Sequence, residues 1–256
     1  MAPRPVVLVT GAARRIGRAI TLDLAAHGYD VAVHYKASRD EAAATVALSR
    51  AHGAAAEAFA ADLSLESECA ELVPRVAAHF GRVDAIVNNA SLFEHDDVAS
   101  FSVATMERHW RANTAPAIIL ARALHALATD PGGVVVNLLD QKLWNLNPDH
   151  LSYTLSKAAL QAATTRRAQA LAPRLRVCGV APGVTLLSGD MDSAEFQAAH
   201  RMTPLQRSST PDDVACAVRF LIESPAVTGT TLLVDGGQHL QAQARDVMFI
   251  ARHERN

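Results

Sequence analysis

The chain has 256 residues, half of them hydrophobic and a fifth charged, with a formal net charge of −2. A sizeable core can form, and with no basic block a nucleic-acid surface is excluded. The three cysteines, Cys69, Cys178 and Cys216, are far apart and outside any CxxC, so they read as free thiols in a reducing compartment.

Short apolar runs alternate with helical patterns along the chain. Strands are expected at 6–10, 31–35, 56–61, 83–88, 134–139, 176–180 and 231–234. Helices are expected at 16–28, 39–52, 66–80, 105–128, 152–171 and 211–223, with Gly53 closing the second and Pro74 kinking or shortening the third. Uniformly apolar strands between long helices argue for an α/β fold, a doubly wound parallel sheet covered on both faces. No linker divides the chain, so one domain is expected over 1–256. The start of the chain lacks a signal-peptide core and no apolar run reaches about 18 residues, so a soluble cytoplasmic protein without a membrane partner is the expectation.

The first strand leads into V-T-G-A-A-R-R-I-G-R-A, which places Thr10, Gly11, Arg14, Arg15, Ile16 and Gly17 between a strand and a helix. Backbone N–H groups and a helix N-terminus at such a place can cradle a pyrophosphate. The second strand ends in V-A-V-H-Y-K-A-S. An NAD-selective site needs an acid there for the ribose hydroxyl. His34, Tyr35, Lys36 and Ser38 instead suit a 2′-phosphate, so NADPH is the expected cofactor.

Further along, Ser91-Leu92-Phe93 follows the fourth strand, where Phe93 can stack on a flat heterocycle. The fifth strand ends on a carboxylate, Asp140. The sequence S-Y-T-L-S-K then puts Tyr153 and Lys157 one turn apart on a helix face. An ammonium beside a phenol is expected to lower its pKa and fit it for proton transfer. The helical histidines lack metal-ligand spacing, and no metal is expected.

Taken in order, these motifs resemble the short-chain dehydrogenase/reductase family over about residues 5–240, on a Rossmann-like fold. T-G-x-x-x-R-x-G, with Arg15 where the family usually has glycine, and H-Y-x-x-S resemble its pteridine reductase branch. The resemblance implies that Asp62 and Leu63 contact adenine, that Asn89, Ala90 and Ser91 lie on the cofactor, and that Pro182, Gly183 and Thr185 lie near the nicotinamide amide. It implies Asn113 as a support for Lys157 through water, and Lys157 as a ligand of the nicotinamide ribose. Most family members have serine 13 residues before the tyrosine, and 153 − 13 = 140, which here is Asp. A carboxyl with a raised pKa can share a proton with Tyr153 and protonate the nitrogen of a reduced C=N bond. Arg15, Ser91 and Phe93 would hold a pterin-like substrate, under a cover drawn from Leu143, Trp144, Leu146, Pro148, Leu186, Leu187 and Met191.

The expected function is NADPH-dependent reduction of a dihydropteridine or dihydrofolate C=N bond. The rivals are a carbonyl reductase and a non-catalytic NADP(H)-binding sensor. The resemblance also implies a homotetramer. The tail 241–256, with its apolar residues 247–250, is expected to dock on a neighbouring subunit or to be disordered.

Overall fold

The computed structural model describes residues 3–128, 132–187 and 191–253, with side chains through Ile250. Its seven strands are β1 (Val6–Val9), β2 (Asp30–Tyr35), β3 (Ala56–Ala60), β4 (Ala85–Asn88), β5 (Gly133–Leu138), β6 (Leu175–Pro182) and β7 (Thr231–Val234). They form one parallel sheet in the order β3-β2-β1-β4-β5-β6-β7.

The two-residue period of a strand divides the apolar runs between the faces. Val7, Val9, Val31, Val33, Val87, Val134 and Val136 pack with α1 (Arg15–Ala26), α2 (Arg39–Ala51) and α8 (Pro211–Glu223). Val6, Leu8, Ala32, Ile86, Val135 and Val177 face α3 (Glu66–Phe80), α5 (Ala115–Leu127) and α6 (Leu151–Leu171). Burial of each large apolar side chain stabilises the fold by roughly 1.5–3 kcal/mol. This two-sided burial explains why the strands are apolar throughout.

Three features depart from the sequence expectation. Pro74 lies inside α3, which continues to Phe80. Pro74 itself faces solvent, while Leu72, Val73 and Val76 hold the helix on the sheet. The helix expected over 105–128 begins as α4 (Val103–His109) and passes through a π-helical turn (Trp110–Thr114) before α5. An additional helix, α7 (Ser193–Arg201), starts with a capping box between Asp192 and Glu195.

The tail forms α9 (Val247–His253) and packs on its own chain: Arg245 grips Asp149 with contacts of 2.7–3.0 Å, and Val247 is buried. Residues 254–256 of the tail lie outside the described residues. No helix among the described residues is long and apolar enough to cross a membrane.

Strand order reverses between β1 and β4. In doubly wound sheets the crevice beyond the strand ends at this reversal is where ligands bind.

Candidate active site

At that crevice the loop after β1 is pinned from two sides. Thr10 Oγ1 accepts the N–H groups of Asn89 (2.9 Å) and Ala90 (3.0 Å). Asn89 Nδ2 donates back to the carbonyls of Thr10 (2.9 Å) and Gly11 (3.2 Å). A Cβ on Gly17 would lie 2.2 Å from the Gly11 carbonyl oxygen, so the turn closes only around glycine. α1 then begins with no acid in its first turn and no side-chain cap. Its free N–H groups and positive end suit an anion. Arg15 starts this helix at φ +54, in the left-handed region that favours glycine.

His34 corrects the sequence expectation. It is only 2% exposed and sits behind the loop, outside the residues that line the cavity at this crevice. Its Nδ1 accepts the Gly11 N–H (3.0 Å), which leaves Nε2 to donate to the Ala61 carbonyl (3.0 Å). Burial pushes its pKa down to about 4. A neutral ring thus ties β2 and β3 to the phosphate loop.

Asp62 and Leu63 do not line the cavity themselves. Leu63 is buried with α3, and Asp62 pairs with Lys36 at 2.8 Å. Thr10 and Pro182 support the crevice from behind, with Pro182 paired to Val234 in the sheet.

The other expected cofactor contacts, Lys157 excepted, share one cavity of about 580 Å³. Gly11, Arg14, Arg15, Ile16 and Gly17 form one wall, and Tyr35, Lys36 and Ser38 the far end. Asn89, Ala90 and Ser91 follow from β4, and Gly183 and Thr185 from β6. Lys36, shared with Asp62, and the hydroxyls of Tyr35 and Ser38, with no acid between Tyr35 and Ser38, offer donors to a dinucleotide carrying an added ribose phosphate.

The acid–base residues close the other end. Tyr153 Oη donates to Asp140 Oδ2 at 2.8 Å, and the Lys142 N–H donates to Oδ1 at 2.8 Å. Burial raises the Asp140 pKa, against the pull of the Lys142 N–H, Tyr153 and Lys157. Lys157 lies behind, donating to the Leu138 carbonyl (2.7 Å) with its Nζ 5.7 Å from the Tyr153 ring centroid. Burial lowers Lys157 to about 8, while the Asp140 charge acts to raise it.

The expected lowering of Tyr153 is not found. Burial and then the Asp140 charge hold its pKa well above 10, so Tyr153 is a phenol that keeps its proton.

Among the described residues Asn113 makes no direct hydrogen bond to Lys157, whose expected support runs through water. From the π-helical turn its Oδ1 accepts from Leu92 N–H (2.7 Å) and Ser91 Oγ (3.2 Å). Its Nδ2 donates to the Leu92 carbonyl (3.0 Å) and Ser156 Oγ (2.9 Å). It therefore clamps the 91–92 loop to the helix that carries Tyr153. The extra residue of a π-turn redirects side chains, and such turns are frequent at functional sites.

Phe93 lines the cavity, stacked on His150 (4.2 Å, 22°) and edge-on to Tyr153 (4.7 Å, 87°). Of the expected cover, Leu186 and Met191 line the cavity, Leu187 accepts from Arg15 (2.8 Å) through its carbonyl, and Leu146 faces solvent.

Several site residues escaped the sequence reading. Asp96 is buried and accepts the Ser152 N–H (2.9 Å) and hydroxyl, capping α6 one residue before Tyr153. Lys142, Asp246, Val247 and Met248 also line the cavity. The only sequence signals were a lysine two residues past Asp140 and an acid opening the tail's apolar cluster.

A nucleotide-type loop and a buried Tyr–Asp–Lys group at one strand-order reversal define the class: an oxidoreductase on a Rossmann-like sheet. A family model described as enoyl-(acyl carrier protein) reductase matches residues 11–239. The structure of FolM alternative dihydrofolate reductase 1 from Brucella canis, complexed with NADP, superposes with a TM-score of 0.88. It is 40% identical and the match covers 95% of this chain and 97% of that one. Pteridine reductase 1 of Leishmania tarentolae is 32% identical over 92% of this chain and 96% of its own. The 3-oxoacyl-(acyl-carrier-protein) reductase FabG of Staphylococcus epidermidis is 31% identical over 91% and 98%. The chain belongs to the short-chain dehydrogenase/reductase family.

Proposed function

We propose that this reductase uses NADPH to reduce the C=N bond of a dihydropteridine or dihydrofolate-type substrate. The observation that carries the reading is the half-buried Asp140 carboxyl, 2.8 Å from the Tyr153 hydroxyl, where ketone reductases of the family have serine. The NADP-bound neighbour named as a dihydrofolate reductase and the pteridine reductase relative support it.

When bound, the nicotinamide supplies the hydride. The chain's own residues manage the proton. Tyr153, held as a phenol, gives its proton to the substrate nitrogen as the carbon is reduced. Asp140, its pKa raised by burial, exchanges a proton with the phenolate oxygen, so the pair acts as one relay. Lys157 offsets the negative charge this relay develops. Phe93, backed by His150, offers its ring to a planar substrate, and Ser91 and Arg15 offer hydrogen bonds to that substrate's edge.

The second reading is a carbonyl reductase, favoured by the FabG relative. NADPH oxidation with dihydrobiopterin and dihydrofolate, beside a panel of ketones, separates the two. Turnover of ketones alone would overturn the C=N reading.

A further inference from the structure

The tail brings a charge into the substrate end of the cavity. Asp246 Oδ2 accepts from Lys142 Nζ at 2.7 Å, and both residues line the cavity. Lys142 is only 3% exposed. An ammonium has three donors, and Asp246 is the one side-chain partner recorded for Lys142 Nζ among the described residues. Asp246 Oδ1 accepts one N–H, from Met248 at 3.1 Å, so the carboxylate keeps acceptor capacity. Next to Lys142, Gln141 lines the same cavity, and its buried Oε1 has no partner. Buried polar groups left short of partners cost stability unless a ligand completes them.

The position of the pair decides which part of a ligand it meets. Lys142 is tied to Asp140 through the 2.8 Å bond from its own N–H, and Asp140 is tied to Tyr153. Lys142 and Asp246 therefore flank the proton-transfer end, away from the phosphate loop. In a dihydropterin the reduced carbon is bonded to the protonated nitrogen and bears the ring's substituent. With that nitrogen at the Tyr153 hydroxyl, the substituent would fall against the pair.

Resting on the C=N reading above, the geometry points to Lys142 and Asp246 as specificity-determining residues that bind hydroxyl groups on the substituent of the reacting carbon. A hydroxyl both donates and accepts, so it takes a hydrogen bond from the ammonium while giving one to the carboxylate. Gln141 completes the polar wall. Arg245, through its grip on Asp149, acts as a positioning residue that seats Asp246: the Asp246 N–H donates to the same carboxylate at 2.7 Å.

The test compares two substrates: dihydrobiopterin, with its dihydroxypropyl chain, and a dihydropterin bearing a methyl group instead. KM and kcat are measured for the wild type, Lys142→Met, Asp246→Asn and Lys142→Arg. The wild type should show a KM about tenfold lower for the dihydroxypropyl substrate, a magnitude typical of hydrogen bonds to charged groups. Lys142→Met and Asp246→Asn should each bring the KM ratio towards one, and Lys142→Arg should restore most of the preference. A purely structural ion pair would alter both substrates alike and leave the ratio unchanged, which overturns the inference. Absence of a preference in the wild type overturns it too, even if Lys142→Met fails to fold. Turnover of the methyl substrate without such a preference sinks the inference alone. Turnover of neither pterin sinks the C=N reading with it.

Discussion

Tyr153 and Asp140 share a hydrogen bond of 2.8 Å, in which the phenol is the donor. A serine at position 140 would offer a hydroxyl but no titrating group. The carboxyl, its pKa raised by burial, adds a second titrating group next to the phenol. That addition matters for an imine, whose nitrogen must be protonated as hydride arrives.

Asp140→Ser should lower kcat for dihydropterin reduction by about 100-fold, within the range of general acid–base contributions. Steady-state kinetics check this. Undiminished turnover would remove Asp140 from the proton relay.

The kcat of reduction should fall as pH rises past about 8. Lys157 has its pKa lowered to about 8 by burial, and above that value it loses the charge that balances the relay. Below that value the ammonium is present and kcat levels off. In Lys157→Met, kcat should be low throughout and this limb absent from the pH profile.

His34 predicts a stability loss in acid. Its folded pKa of about 4 lies below the unfolded value of 6.5, so the unfolded chain takes up a proton first. The contribution is complete above pH 6.5 and is lost progressively between 6.5 and about 4. The shift corresponds to about 3 kcal/mol. Urea unfolding at stepped pH checks it. His34→Asn, which cannot titrate, should show a flatter profile over the same window.

Arg15 occupies a left-handed backbone position, which costs a non-glycine residue about 1–2 kcal/mol. Arg15→Gly should therefore raise the melting temperature of the free protein, offset in part by loss of the bond to the Leu187 carbonyl. It should also weaken NADPH binding, read from cofactor fluorescence. A variant with lower stability and unchanged affinity would contradict both roles.

Local patterns carried most of the architecture. Every expected strand was recovered because a strand buried on both faces leaves an uninterrupted apolar run, as in Val134–Val136. Tyr153 and Asp140 were legible because a helix face and a strand end place them with little freedom. The misses are contacts between distant parts of the chain. Lys142 and Asp246 meet across 104 positions, which no periodicity encodes. His34 was assigned to the ligand because its position at the strand end was visible, whereas its partners, Gly11 and Ala61, come from other segments. α7 lacked a strong apolar stripe, although Asp192 and Glu195 stood at capping-box spacing. The fall of the Tyr153 pKa expected from Lys157 fails for an energetic reason: burial and a nearer carboxylate outweigh a lysine stacked beside the ring.

Thr10 has a wider reach than its place in the phosphate loop suggests. Its hydroxyl holds Asn89 and Ala90, and the next residues, Ser91 and Leu92, are held in turn by Asn113. The cofactor side and the substrate side are thereby one mechanical unit. A ligand that tightens one side tightens the other, so the two affinities are interdependent, each ligand changing the other's by the same factor.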